Sequence, residues 1–215
     1  MSDPRAYHHG NLRRALLDAS LALFAERGSF DFTLRELARK AGVTHNAPYR
    51  HFAGKAELLA ALRDEGSAML AAACRERLDG VEGPRARVRA LGEAYVRFAM
   101  AHPLHFRLVL HNPLGGDAAP AGEAFPLLRA TLAEAQKAGA LRDDLNAREL
   151  ALGAWALVHG LASLLVEGNV PAGELRVRRY MRLLDAIFFD GAGAVARGGR
   201  GERRESARLV ERGAR

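Results

Sequence analysis

One cysteine in 215 residues, Cys74, excludes a disulfide framework within the chain. It lies in "LAAACRER", on an apolar helical face, and reads as a small buried residue, not a reactive thiol. Lysine is nearly missing: Lys40, Lys55 and Lys137 are the only three, so almost all positive charge is arginine. No uninterrupted apolar run is long enough to span a bilayer. The opening "MSDPRAYHHGN" is polar and lacks the apolar centre of a secretion signal, so a cytosolic location without a membrane partner is expected. No stretch alternates apolar and polar residues as a half-buried strand does. No Gly-rich phosphate loop, paired-carboxylate site or nucleophile with its base stands at a recognisable spacing, and "GGRGE" follows no strand. The chain is therefore read as a non-enzyme, with no cofactor and no metal.

What is present is helical periodicity and positive charge. Hydrophobic residues make up 49% of the chain, enough for a sizeable core, and the net charge is +7 with a pI near 10.3. A basic balance favours a polyanionic partner. A GC-rich genome would also enrich arginine, alanine and glycine, so charge alone does not decide the matter. Helices are expected at about 11–27, 34–41, 45–51, 55–78, 84–102, 123–138, 147–167 and 172–190. The short segment "LHFRLVLH" follows the break at Pro103, and Gly and Pro make 111–122 a loop. The Gly- and Arg-rich residues 191–215 have little to bury and are expected to be disordered. The expected fold is all-α, with residues 1–54 as a small N-terminal domain, 55–190 as a larger helical domain and 191–215 as a tail.

The stretch "THNAPYRHFAGKAELL", residues 44–59, is the least ordinary part. It crowds hydrogen-bonding side chains between two amphipathic helices. Thr33 with Glu36 forms a capping box for the helix at 34–41. Gly42 ends that helix, and Thr44 opens the next. Two short helices joined by "AGV" read as a helix-turn-helix, whose second helix enters the DNA major groove. Thr44, His45 and Asn46 then lie on the first turn, where amides and hydroxyls read base edges. Tyr49, His51 and Lys55 follow at spacings suited to phosphates, and Arg35 reaches a phosphate or a guanine. Phe52 is the apolar exception and belongs to the core. Arg13 and Arg14, on the first helix, divide evenly between DNA contact and solvated surface.

The segment "TLRELARKAGVTHNAPYRHFAGKAELLAAL" resembles the DNA-binding region of the TetR/AcrR family of bacterial transcriptional regulators. The matching residues are Thr33, Ala41-Gly42-Val43, Tyr49-Arg50-His51-Phe52, Lys55 and Leu58-Leu59, and the likeness covers about residues 10–60. Pro48 stands where an apolar residue is usual, and Gly54 where Ser or Asn often caps the next helix. With the resemblance, the candidate DNA-contact set is Thr33, Arg35, Thr44, His45, Asn46, Tyr49, Arg50, His51 and Lys55. The resemblance implies a three-helix DNA-binding domain and a C-terminal ligand-binding and dimerisation domain. It also implies a homodimer on a palindromic double-stranded operator, most often a repressor released by a small molecule.

"AWALVHGLASLL", residues 154–165, resembles the Trp-His-Gly signature of one subgroup of that family, through Trp155, His159 and Gly160. An apolar effector pocket is expected from Phe98, His102, His105, Phe106, Val109, Phe125, Leu128, Trp155 and His159. Core packing explains each apolar member equally well. The resemblance implies a dimer built from the last two helices, for which Gly153, Gly160, Leu164, Tyr180 and Leu184 are candidates. Trp155 and His159, four apart on one helix face, fit either packing and dimer contact or ligand contact.

Overall fold

A computed structural model describes residues 12–110 and 122–192. The expected loop at 111–121 and the expected disordered tail from residue 193 lie outside the described residues. Among the described residues the chain is all-helical: α1 (Leu12–Arg27), α2 (Leu34–Lys40), a 3-10 turn (Pro48–Arg50), α3 (Lys55–Leu78), α4 (Pro84–Ala101), α5 (Pro103–Leu110), α6 (Ala124–Lys137), α7 (Ala147–Val166) and α8 (Glu174–Ala192). They fall into two compact units, Met1–Glu76 with Ala94–Phe125, and Arg77–Glu93 with Pro126–Arg215.

The first unit contains the helix-turn-helix. Leu16, Ala19 and Leu23 of α1 sit three or four residues apart, so they share one face, and all are buried. They pack with Phe32, Leu34, Leu37, Phe52, Leu58 and Leu62 in one cluster. Each such side chain fully removed from water contributes about 1.5–3 kcal/mol. Leu108 of α5, 2% exposed, enters the same cluster. Gly66 allows the close approach of α5 to α3: a Cβ there would lie 2.9 Å from Val109 Cγ2 and 3.0 Å from His105 Cβ.

In the second unit α7 opens on Asn146, whose side chain accepts from the Arg148 and Glu149 amides while Glu149 reaches back to the Asn146 amide. Buried Ala151, Ala154 and Ala162 line its inner side, and α8 contributes Val177, Met181 and Phe189. Asp185 Oδ2 accepts from Arg85 Nη2 at 2.9 Å and Arg89 Nη2 at 2.7 Å, and Arg85 also lies over the Phe189 ring. Burial alone would raise the Asp185 carboxyl; the hydrogen bonds from Arg89 and Arg85 outweigh it and hold the group below its ordinary value.

Two expectations are corrected. The helix at 45–51 is a turn followed by the 3-10 turn Pro48–Arg50. Pro48 has no N–H to give to Thr44, so the bonds that form are the tighter Ala47→Thr44 at 2.9 Å and His51→Pro48 at 3.0 Å. α7 is, by length and composition, apolar enough to cross a membrane. It reaches that apolarity although Arg148, Glu149 and His159 interrupt it, which a search for an unbroken apolar run misses. Only 33% of its apolar window is buried, and Leu152 and Leu164 are exposed.

Candidate nucleic-acid interface

Local chemistry sets the two helices of the motif. Thr33 Oγ1 accepts from the Glu36 amide at 3.2 Å, and Glu36 Oε2 accepts from the Thr33 amide at 2.8 Å. Glu36 also binds Arg27 at 2.7 Å; Arg27 first, then Thr33, pull the carboxyl down to about 2. At the other end of α2, Gly42 takes φ +69°, a left-handed conformation that favours glycine. The Val43 amide then reaches Ala38 O at 2.9 Å and the Gly42 amide reaches Arg39 O at 3.2 Å. That paired closure is what "AGV" supplies, and it turns the chain sharply into the polar segment.

Beyond the turn, side chains sort cleanly by burial. Ala47, Pro48 and Phe52 point into the core, with Phe52 only 1% exposed. Thr44, His45, Asn46, Arg50 and His51 are exposed, and Tyr49 is 55% exposed. The segment therefore presents nearly all its hydrogen-bonding groups on one solvent-facing side of a short, well-anchored turn. The start of α3 is tied back, because the Ala53 amide donates to Glu57 Oε2 at 2.6 Å. That reciprocal bond does part of the capping that Gly54 cannot do through a side chain.

Charges sort as well. Arg27 is paired with Glu36, Lys40 with Glu26, and Arg14 with both Asp18 and Glu65. Arg13, Arg35, Arg39, Arg50 and Lys55 have no carboxylate partner among the described residues. Lys55 Nζ stands 5.2 Å from the Phe32 ring centroid, and the Arg13 guanidinium 5.3 Å from that of Phe52. A surface that keeps several cations unneutralised and steadies two of them on aromatic rings is suited to a polyanion.

Two family models match. One, described as bacterial regulatory proteins of the tetR family, covers residues 16–62; the other, a tetracyclin repressor-like C-terminal domain, covers 88–187. The chain belongs to the TetR family of bacterial transcriptional regulators. A protein of unknown function from Rhodococcus sp. RHA1 is 35% identical, with 88% of this chain and 99% of that chain covered and a TM-score of 0.73. A TetR-family transcription regulator from Marinobacter aquaeolei VT8 shares the fold at 16% identity, covering 86% and 96%, with a TM-score of 0.68. AibR, solved with isovaleryl coenzyme A and operator DNA, shares it at 19% identity, covering 82% and 97%, with a TM-score of 0.66. As a TetR-family regulator the chain binds DNA, and the motif of residues 33–55 is its helix-turn-helix.

The residues considered for an effector are distributed over both units. In the first, Phe98 is buried with its ring 5.3 Å from that of His102, and His102 meets His105 edge to face at 6.2 Å. Phe106 packs edge-on to Tyr95 at 5.9 Å, Val109 is buried, and Phe125 is half-buried. His105 Nε2 lies 3.4 Å from Glu65 Oε1 without hydrogen-bond geometry. Burial pushes His105 below its ordinary value against the opposing pull of Glu65. In the second, Leu128 is half-buried, and Trp155 and His159 stack at 5.7 Å with their planes 30° apart. Burial likewise lowers His159. Cys74 is buried, and burial pushes its thiol up to about 11, far from a reactive thiolate.

Of the residues considered for a dimer, Gly153 and Gly160 are exposed with open space around them, Leu164 is 44% exposed, and Tyr180 and Leu184 are half-buried. The sequence pattern missed Leu152, Leu175, Leu183 and Ile187, which are exposed at 56%, 82%, 56% and 51%.

Proposed function

We propose that the chain is a ligand-responsive repressor that binds a palindromic operator as a homodimer and is released when a small molecule binds. The observation that carries this reading is the sorting of residues 44–52. The groups able to read bases are exposed together on a turn pinned by Ala47, Pro48 and Phe52, beside unneutralised cations. In this reading Thr44, His45 and Asn46 meet base edges, while Arg35, Tyr49, Arg50, His51 and Lys55 hold phosphates. Thr33 contributes through its place at the head of α2, since its hydroxyl already serves Glu36.

A palindrome needs two copies. The exposed apolar residues Leu152 and Leu164 of α7, and Leu175, Leu183 and Ile187 of α8, support a second copy as their cover. The bare glycines at 153 and 160 leave room for close approach. The stacked Trp155–His159 pair supports the Trp-His-Gly subgroup and stands beside that face or in the effector site. Release requires that the effector favour a conformer with poorer DNA fit. Within the first unit α5 has the means to pass on such a change: Leu108 sits in the helix-turn-helix core, and His105 faces Glu65, which holds Arg14 of α1. A regulator of bacterial genes acts in the cytoplasm. AibR carries isovaleryl coenzyme A, so acyl thioesters are a sensible first class of compounds to try.

The test is a gel-shift of the chain against duplexes tiling its own promoter, followed by a screen for compounds that release the bound duplex. Specific binding to one palindrome, reversed by one class of compound, is expected. A chain that binds every duplex alike at moderate salt would refute the reading.

A further inference from the structure

Arg13 and Arg14 are neighbours at the start of α1, and the fold gives them opposite fates. Arg14 donates to Asp18 Oδ1 at 2.5 Å through Nη2 and to Glu65 Oε2 at 2.7 Å through Nη1. Its charge is answered on both sides. Arg13, turned about 100° around the helix, is exposed and has no carboxylate partner among the described residues. The first turn of α1 holds no acidic residue either.

Arg13 is nevertheless not loose. Its guanidinium carbon lies 5.3 Å from the centroid of the Phe52 ring. Phe52 is only 1% exposed and is fixed in the core cluster, so the ring is a rigid platform. A guanidinium over a ring engages it with its face and leaves the N–H rim available to a planar or tetrahedral oxyanion. Phe52 follows Tyr49-Arg50-His51 directly and lies three residues before Lys55. The held cation therefore stands at the end of the segment already assigned to DNA.

We propose that Arg13 is a further DNA-contact residue, a phosphate clamp on α1 set in place by Phe52, and that Arg14 is a structural residue that never meets DNA. The proposal rests on the reading of residues 44–55 as the DNA-facing segment. The ligand is a backbone phosphate next to those met by His51 and Lys55, so the contact adds affinity without sequence preference.

Arg13→Ala, Arg13→Lys, Arg14→Ala and Lys55→Ala are each titrated against operator and scrambled duplex at several salt concentrations, with a urea melt of each. Arg13→Ala is expected to weaken both duplexes alike, by roughly tenfold per half-site near 0.1 M salt, and to lower the salt slope by about 0.9 per half-site. Its urea midpoint stays at the wild-type value, because an exposed side chain is removed. Arg13→Lys keeps the slope and loses part of the affinity, which a purely structural residue would not do. Arg14→Ala shows the reverse: a lower urea midpoint and an unchanged slope. If Lys55→Ala lowers the slope while Arg13→Ala does not, the clamp is overturned and the DNA-facing reading survives. If neither lowers it, both are overturned.

Discussion

Replacing Gly66 with alanine tests how tightly α5 is tied to the DNA-binding bundle. The residue is buried mid-helix, so alanine alone would stabilise α3 by about 0.5–1 kcal/mol through backbone entropy. The new Cβ, however, would meet Val109 Cγ2 at 2.9 Å and His105 Cβ at 3.0 Å. Both belong to α5, and neither is the end of a long flexible chain. Overpacking of this kind costs about 1–3 kcal/mol, so the net expected loss is roughly 0.5–2 kcal/mol. Relief requires α5 to shift by some tenths of an ångström, and α5 carries Leu108 into the helix-turn-helix core. Operator affinity should therefore fall in step with stability. Urea unfolding and operator titration of Gly66→Ala, Val109→Ala and the double variant decide it. The double variant should recover about 1 kcal/mol relative to the sum of the singles, since the nearest clashing methyl is gone. A Gly66→Ala protein more stable than wild type, with unchanged operator binding, would refute the reasoning.

Asp185→Asn should cost about 1–2 kcal/mol in urea, because it removes a charge-assisted acceptor shared by two arginines, each of which can still be hydrated. The contribution of the native carboxylate is present above about pH 4, the unfolded value, and fades as pH falls through the lower folded value; the variant should lack that acid limb. His105 and His159 are both lowered by burial, so both are neutral in the fold, and stability should decline as pH drops below about 6.5. His105→Gln should flatten that decline, and a stability that rises on acidification over the same window would contradict the assignment. Leu183→Arg, on the exposed face of α8, should shift sedimentation toward a monomer with an unchanged melting temperature per protomer; a dimer of wild-type affinity would remove α8 from the interface.

What the sequence shows plainly is what neighbours in the chain decide. The Thr33–Glu36 capping box, the left-handed Gly42 and the bounds of α3 all rest on contacts within a few residues. Phe52 was legible as core because it is the lone large apolar side chain in a polar stretch. Pro48 announced a disturbed turn, yet whether the segment kept α-helical spacing depended on which carbonyl the remaining amides could reach. What was not legible depends on distance. Arg14 is removed from the DNA question by Glu65, 51 residues away, and Arg13 is positioned by Phe52, which no spacing links to it. Leu108 looked like any apolar residue of a short helix, and only tertiary packing places it in the helix-turn-helix core. The exposed leucines of α7 and α8 follow the same helical period as core residues, so periodicity alone could not separate a face that lies open.

The central claim is that residues 44–55 divide between reading bases and holding phosphates. The most direct measurement titrates Asn46→Ala and Lys55→Ala against operator and scrambled duplex across a salt series. Lys55→Ala should weaken both duplexes alike and lower the salt slope by about one unit per half-site, because each neutralised phosphate releases a counterion. Asn46→Ala should leave the slope unchanged and relax preference at one position in each half-site by about 1–3 kcal/mol, because directed hydrogen bonds to a base edge are lost. A Lys55→Ala protein with altered sequence preference, beside an Asn46→Ala protein changed only in salt slope, would contradict the placement of this segment on DNA.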